Sequence, residues 1–364
     1  MGFNRMAIEE WFDQYQFELD YDIGESGVKF FDLDDLDIDL SKVALRYGHH
    51  RGAPELRQLI ASYVPGLSPA QVAVTTGASE AIFAVVASLV GPQDHMVVEV
   101  PNYPSLYDVP ASLGRNCSYY SLRFEEDFRL NLDRLKELVY PETQLICLTH
   151  PNNPTGSVLT TPELEELVQF AESRRIYLLV DETYRELAFD ALPPLAATLS
   201  PRAISITSMS KAFGVPGIRI GWVAANEALI DSVRAVREQI TICNSALGEQ
   251  IAFSVLQRKE QFLKLVKQRL LANFEILKSW MEKRDDLEWV LPMGGAVAFP
   301  RLTEDRHSDE LCRLLIEKYR TFVVPGYCFQ MPRYFRLGFG GEEEELKAGL
   351  KRLDQALAEW KGRG

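Results

Sequence analysis

The stretch SITSMSKAFGVPGIRIGW, Ser205–Trp222, restricts the fold and chemistry of this 364-residue chain more than any other. An apolar run predicts a buried strand, and Lys211 follows directly after it. The amine of such a lysine forms a Schiff base with an aldehyde if its neighbours favour the neutral form. The hydroxyl of Ser208 and the guanidinium of Arg219 are suited to hold a phosphate group. Each residue alone also fits an ordinary role, as a surface lysine, a loop serine or an ion-pair arginine, but their combination favours a binding site.

On both sides of this stretch, short apolar runs alternate with helical patterns. The apolar runs are QVAVTT, HMVVEVP, QLICLTHP, IYLLVDE, AISITSMS and IRIGWVAA. Most of them are apolar throughout, which is typical of strands covered on both faces. Strands that alternate with helices predict crossover connections and a mostly parallel sheet. We therefore predict an α/β fold in which residues 46–245 form the large domain.

The pattern changes after about Asn244. One long helical stretch runs from Glu249 to Arg284, and short strand-like pieces follow it. A closing helix is predicted because five apolar residues share one of its faces: Leu346, Leu350, Leu353, Leu357 and Trp360. This section reads as a smaller α+β domain, made of residues 1–45 and 246–364.

Composition excludes several classes of function. The net charge of −13 disfavours a nucleic acid or an anionic membrane as a partner, although a small anionic ligand remains compatible with it. The cysteines are odd in number and widely spaced, so free thiols and a cytoplasmic location are expected. No signal peptide is read, and the longest apolar run, Ala81–Val90, is too short to span a bilayer. The five histidines show no metal-ligand spacing, so we predict no metal and expect them in loops and at the surface.

Ser205–Trp222 resembles the cofactor-lysine motif of fold type I enzymes that use pyridoxal 5'-phosphate (PLP), the aspartate aminotransferase superfamily. The resemblance extends over nearly the whole chain, because further family landmarks occur in the same order. It implies the fold type I PLP-dependent transferase fold, with PLP carried by Lys211. It also implies that Ser208 and Arg219 bind the cofactor phosphate.

Two landmarks precede the lysine motif and concern the phosphate and the pyridine ring. TTGASEAIF places a glycine turn at the start of a helix, where free N–H groups favour an anion. By resemblance, Gly77, Ala78 and Ser79 hold the phosphate. In PNYPSLYD, Tyr103 matches the aromatic residue that stacks on the ring; an aromatic residue after a strand is otherwise more often part of the core.

Two further landmarks concern the polar atoms of the ring. In HPNNPTG, the resemblance implies that Asn153 bonds the phenolic oxygen of the cofactor. In VDETY, Asp181 ends a strand, where a carboxylate can pair with a protonated ring nitrogen and preserve the electron-accepting ring. Tyr184 is implied as a second partner of the phenolic oxygen. As an ordinary alternative, Asp181 would cap a helix.

The remaining landmarks concern the substrate and a second subunit. In YFRLGFG, Arg336 stands where the family binds the substrate α-carboxylate, for which a planar guanidinium is better suited than an ammonium. The resemblance assigns Asn153 and Gly27 to the substrate as well. In RYGHHRGAPELR, Tyr47 matches the tyrosine that reaches the phosphate of the neighbouring subunit, so a homodimer is expected.

Within the superfamily, the chain resembles the capreomycidine synthase subgroup in the turn Glu25–Val28, in GGAVAFPRLT and in VVPGYCF. It departs from that subgroup by keeping the N-P-T-G and D-E-T-Y forms of ordinary aminotransferases. We therefore predict an enzyme, an aminotransferase acting on an L-amino acid and a 2-oxo acid. The alternative is elimination or cyclisation of an arginine-like amino acid, favoured by the charge of Glu25 and of the Asp-rich segment 31–40, which is itself expected to be a solvated loop. A sensor domain of a transcription regulator is disfavoured, because only a short acidic segment precedes the core.

Overall fold

The computed structural model describes residues 2–191 and 193–362, and its strands and helices confirm the α/β class. The strands are β1 Tyr21–Asp22, β2 Val72–Thr75, β3 His95–Val100, β4 Asn116–Ser121, β5 Thr143–Thr149, β6 Tyr177–Asp181, β7 Ala203–Ser208, β8 Gly221–Ala224, β9 Leu287–Glu288, β10 Val297–Ala298, β11 Arg301–Leu302, β12 Thr321–Phe322, β13 Val324–Pro325 and β14 Phe335–Gly338. The helices are α1 Ala7–Tyr15, α2 Leu33–Leu36, α3 Pro54–Ser62, α4 Gly77–Leu89, α5 Ser105–Ser112, α6 Leu132–Lys136, α7 Thr161–Ser173, α8 Glu227–Glu238, α9 Ala246–Gln257, α10 Lys259–Met281, α11 Asp309–Tyr319 and α12 Glu343–Lys361.

The large sheet has seven strands in the order β2-β8-β7-β6-β5-β3-β4. Strand β8 is antiparallel to both of its neighbours, and the other pairs are parallel. Alternate residues of one strand belong to different apolar cores: Val72 and Val74 pack into one core, and Ala73 packs into the other. Both faces are therefore covered, which explains why these strands are apolar throughout. Ligand sites in such sheets lie at the carboxyl ends of the strands.

The C-terminal third contains short strand pairs covered by helices. Strands β10, β14 and β13 form a small antiparallel sheet, and β9 pairs with β11. Strand β1 pairs in parallel with β12, which joins the N-terminal segment to this part of the chain. The five apolar residues predicted on one face of the closing helix α12 are all buried. The division into residues 46–245 and residues 1–45 with 246–364 stays a prediction.

The prediction of one long helical stretch from Glu249 onward is wrong in one respect, because the structure has two helices there. Helix α9 ends at Gln257 and α10 begins at Lys259. Arg258, between them, has φ −108° and ψ 19°, outside the helical range. Its guanidinium donates a hydrogen bond to the carbonyl of Leu36, so a contact distant in sequence accompanies the break.

Two other expectations need correction. The Asp-rich segment is in part a helical turn, α2, in which the Asp35 carboxylate accepts a hydrogen bond from the Asp32 amide at 2.9 Å. Two of the histidines are buried instead of lying at the surface. His95 bonds the hydroxyls of Thr143 and Ser118 across the sheet at 2.8 and 2.9 Å. Local polar partners on neighbouring strands therefore make its burial tolerable.

The second buried histidine is His150, whose Nδ1 accepts a hydrogen bond from the Leu159 amide at 2.8 Å. Burial lowers the pKa of His150 to about 4, so the ring is neutral at physiological pH. Among the residues described, no group of acidic, cysteine or histidine side chains has the geometry of a metal site. All five cysteines are free. None of the helices described is both long and apolar enough to cross a membrane.

Candidate active site

A cavity of about 340 Å³ lies where the carboxyl ends of β5, β6 and β7 meet the start of α4, and residues of α1 close it from the other side. Ten of the predicted site residues line it: Ala78, Ser79, Tyr103, Asn153, Asp181, Tyr184, Ser208, Lys211, Arg219 and Arg336. Residues separated by up to a few hundred positions in sequence therefore face one space.

Gly77 and Gly27 adjoin this cavity without lining it. A Cβ atom added to Gly77 would lie 2.6 Å from Nη2 of Arg219, and one added to Gly27 would lie 3.5 Å from Cδ of Lys211. Tyr47 is elsewhere: its side chain is 83% exposed and borders a separate open groove. The contribution of Tyr47 to the active site of a partner subunit stays a prediction.

Lys211 is in direct contact with Glu25. Its Nζ donates a hydrogen bond to Oε1 of Glu25 at 2.7 Å, and both side chains are largely buried. Burial alone would lower the pKa of Lys211, but the carboxylate of Glu25 raises it above its ordinary value. Burial alone would raise the pKa of Glu25, but the charges of Lys211 and Arg336 bring it to about 2. The protein groups thus favour the ammonium form, and the amine must lose its proton when it reacts with an aldehyde.

One end of the cavity is suited to a phosphate. The Ser208 hydroxyl accepts from the Ser210 amide at 3.0 Å and donates to the Ser210 hydroxyl at 2.8 Å. Arg219 has a positive φ of 53°, and its Nη1 is anchored to the Pro216 carbonyl at 2.9 Å. Helix α4 begins at Gly77, so free N–H groups at its first turn face the same end. We call Gly77, Ala78, Ser79, Ser208 and Arg219 the phosphate cradle.

The cavity also contains a buried carboxylate, Asp181. Oδ1 of Asp181 accepts two hydrogen bonds from Thr183, from its amide at 3.0 Å and from its hydroxyl at 2.6 Å. Burial raises the pKa of Asp181, and the Thr183 hydrogen bonds oppose that shift. A cation beside Asp181 would stabilise its charged form, because an opposite charge in a buried site lowers a carboxyl pKa.

Two tyrosines and an asparagine complete the walls. The hydroxyl of Tyr103 donates a hydrogen bond to Oε1 of Glu9 at 2.8 Å, which connects helix α1 to the wall of the cavity. Burial raises the pKa of Tyr184, so its phenol stays protonated and can donate. Asn153 accepts from Nη1 of Arg336 at 3.2 Å through Oδ1, which leaves its Nδ2 able to donate into the cavity.

Arg336 is buried, and no carboxylate among the residues described forms an ion pair with it. Its Nε and Nη2 donate to the carbonyl of Gly24 at 3.1 and 2.8 Å, and its remaining bond goes to Asn153. Both partners are neutral, so its charge is balanced at longer range by Glu25. Since a buried charge is costly without a counter-ion, this guanidinium is suited to bind a small carboxylate.

Several lining residues carried no usable signal in the sequence. Ile8, Glu9 and Phe12 come from α1, far along the chain from every motif. Thr149 and Thr183 could have been suspected, because each lies at or next to the end of a strand that carries a motif. The N-terminal residues reach the cavity only through tertiary packing, such as the hydrogen bond from Nε1 of Trp11 to the Val323 carbonyl at 2.8 Å.

An anion-binding end, a buried amine and a buried carboxylate together fit a phosphorylated pyridine aldehyde, which defines the class as a lysine-dependent PLP enzyme. The family model described as aminotransferase class I and II matches residues 32–353. The chain therefore belongs to the class I and II aminotransferase family, and its cofactor is PLP.

The similar proteins include aminotransferases, a capreomycidine synthase and a PLP-dependent cyclase. Capreomycidine synthase from Streptomyces vinaceus is 30% identical, over 96% of this chain and 93% of its own. Aspartate aminotransferase from Thermotoga maritima is 28% identical, over 87% and 85%. The solved structure of a PLP-dependent aminotransferase from Streptococcus suis gives a TM-score of 0.94 at 32% identity, over 99% of both chains. That of the PLP-dependent cyclase OrfR gives 0.92 at 28%, over 99% and 98%.

Proposed function

We propose that this enzyme is an aminotransferase that moves an amino group from an L-amino acid to a 2-oxo acid. The observation that carries the proposal is the buried guanidinium of Arg336, which faces the same cavity as the amine of Lys211. A substrate whose α-carboxylate binds Arg336 would place its α-carbon in the space shared with Lys211. Such a substrate is an α-amino acid.

In the proposed reaction, each residue of the cavity would have a separate role. Bound PLP supplies a ring that accepts the electrons released at the substrate α-carbon. Asp181 holds the proton on the ring nitrogen, and Asn153 and Tyr184 donate to the phenolic oxygen. The freed Nζ of Lys211 would take the proton from the substrate α-carbon and deliver it to the cofactor carbon that carried the aldehyde. Arg336 fixes the carboxylate, so that the bond to be broken keeps one orientation.

The test is to incubate the holoenzyme with a panel of neutral amino acids and to follow both the products and the cofactor spectrum. We expect a 2-oxo acid together with pyridoxamine 5'-phosphate, and Lys211→Ala should retain PLP through the phosphate cradle but give neither product. If every substrate gives only a cyclised or eliminated product, transamination is wrong and the second candidate replaces it.

The second candidate is elimination or cyclisation of an arginine-like amino acid. It is supported by the carboxylate of Glu25, which lines the cavity and is ionised; Glu9 lines the same cavity. When a substrate carboxylate occupies Arg336, Glu25 loses part of its counter-charge, and a cationic side chain would restore it. The resemblance to capreomycidine synthase points the same way. The Asp-rich segment does not line the cavity, so it does not contribute to this negative charge.

Arginine and 3-hydroxyarginine, compared with the neutral panel, test the second candidate. Glu25→Gln keeps the size of the side chain and removes its charge. We expect this variant to lose efficiency with the cationic substrates much more than with neutral ones. An equal loss on both kinds of substrate would show that Glu25 serves Lys211 and does not select the side chain.

We also propose that the enzyme is a cytoplasmic homodimer. The free cysteines favour a reducing compartment. The exposed Leu45 and Tyr47, 80% and 83% accessible, leave an apolar surface beside the groove that a second copy would cover.

A further inference from the structure

A buried carboxylate outside the cavity connects two of its walls. Glu99 lies in β3, one residue before the end of the strand, and is 6% exposed. Its Oε2 accepts three hydrogen bonds: from Nδ2 of Asn102 at 3.0 Å, from the amide of Thr149 at 3.1 Å and from Nδ2 of Asn152 at 2.9 Å. Because three donors from different segments converge on one oxygen, this carboxyl group restrains the positions of all three.

The three donors belong to the segments that carry cavity residues. Asn102 precedes Tyr103, and its Oδ1 accepts from the Tyr103 amide at 2.8 Å and from the Thr149 hydroxyl at 2.6 Å. Asn152 precedes Asn153, and its Oδ1 accepts from the Thr155 amide at 3.1 Å. Thr149 itself lines the cavity. Glu99 therefore fixes the loop after β3 and the loop after β5 relative to each other.

We propose that Glu99 is a positioning residue that sets the distance between Tyr103 and Asn153 around the cofactor ring. Glu99 also influences the position of Arg336, because Oδ1 of Asn153 accepts a hydrogen bond from Nη1 of Arg336. The proposal rests on PLP binding in this cavity and does not depend on transamination. A cyclase with the same cofactor would need the same spacing, so failure of the proposed reaction would leave the positioning role testable.

Glu182 provides a matched control. It is also fully buried next to the site, and burial raises the pKa of both Glu99 and Glu182 to about 7. Its Oε1, however, accepts from the Ala196 amide at 3.3 Å, in a segment that does not line the cavity. A change at Glu182 thus perturbs a buried carboxylate of the same kind without separating the loops of Tyr103 and Asn153.

The experiment compares Glu99→Asp, Glu99→Gln and Glu182→Asp in the full-length protein. Three quantities are measured: the dissociation constant of PLP on return to dialysed protein, the visible circular dichroism of the holoenzyme, and the thermal midpoint. Aspartate is one methylene shorter and cannot reach all three donors. We expect Glu99→Asp to weaken PLP binding about tenfold, equivalent to about 1.4 kcal/mol, and to reduce the visible dichroism. Glutamine keeps the length and one acceptor oxygen, so it should remain within about threefold of the wild type, or about 0.65 kcal/mol.

Glu182→Asp should lower the thermal midpoint while leaving the dissociation constant and the dichroism unchanged. The proposal is overturned if Glu99→Asp binds PLP with wild-type affinity and dichroism. It is equally overturned if Glu182→Asp alters both quantities as strongly, since a general loss of packing would then explain the effect. If Glu99→Asp does not fold, a weakening by Glu99→Gln as large as that expected for aspartate would contradict the role of the acceptor oxygen.

Discussion

At the scale of single residues, burial shifts the pKa values of the charged groups in the cavity. The neighbouring charges and hydrogen bonds determine whether each pKa rises or falls. Glu25 and Asp181 are both buried carboxylates, yet the pKa of Glu25 falls to about 2 and that of Asp181 rises. The difference is that Lys211 and Arg336 face Glu25, whereas Asp181 has only the hydrogen bonds of Thr183. Asp181 therefore remains in need of a cation, which the ring nitrogen of PLP would supply.

Replacement of Asp181 should reduce turnover far more than it reduces the stability of the fold. Burial raises its folded pKa above the unfolded value, so the stability associated with the protonated form is present below the ordinary pKa and is lost as pH rises through the raised one. Removal of the charge at neutral pH is thus not expected to destabilise the fold. We expect Asp181→Ala to lower turnover by well over tenfold, more than about 1.4 kcal/mol in barrier.

Steady-state rates and thermal midpoints of Asp181→Ala and of the isosteric Asp181→Asn provide the measurement. Asparagine keeps the shape and removes the charge, so it separates charge from packing. Turnover within about tenfold of the wild type in both variants would mean that this carboxylate is not the partner of the ring.

At the scale of structural elements, the phosphate cradle depends on how a turn and a loop approach each other. The turn from β2 into α4 has φ 76° at Gly77, and the loop before β8 has φ 53° at Arg219. A side chain at Gly77 would occupy the position of the Arg219 guanidinium. The glycine therefore permits both the backbone conformation and the close approach of the positive charge.

Gly77→Ala should weaken PLP binding about tenfold. Gly66→Ala is the matched control, because Gly66 also has a positive φ, of 86°, but an added Cβ there meets nothing within 4 Å. Both variants should lose about 1 kcal/mol of stability from backbone strain. Titration of PLP into the two dialysed proteins, with thermal melts, distinguishes strain from loss of the cradle; equal affinities would refute the cradle.

At the scale of the whole molecule, the cavity lies between the sheet of the large domain and segments from both ends of the chain. Asp181 ends β6, Lys211 lies in the loop after β7, Glu25 belongs to the N-terminal segment and Arg336 to β14. Tyr47 is the one predicted site residue that this chain directs away from its own cavity. A second copy of the chain is the partner that the family resemblance implies for it.

Hybrid dimers test this arrangement. A chain with Tyr47→Phe mixed with a chain with Lys211→Ala should form dimers in which one site has an intact lysine and an intact partner tyrosine, and the other site lacks both. We therefore expect the mixture to be more active than either variant alone. Analytical ultracentrifugation establishes the dimer, and a fully active monomer would contradict the cross-subunit role.

The sequence by itself determined the fold class and proposed the candidate site residues, because each of its signals is local. A strand followed by a functional residue places that residue at a carboxyl end, and the carboxyl ends of neighbouring parallel strands meet at one edge. The family resemblance named Ser208, Lys211, Asp181 and Asn153 as site residues, and the structure places all four around one cavity. The prediction of helix α12 from its apolar face is confirmed for the same reason, since helical spacing is a local property.

Only the tertiary structure decided which distant groups meet these residues. The contact of Glu25 with Lys211 spans 186 positions, and that of Glu9 with Tyr103 spans 94. The burial of His150 and the break at Arg258 likewise depend on partners that no local pattern specifies. The physical reason is that a pKa or a helix end reflects the free energy of a whole environment. That environment exists only when the segments that compose it have packed together.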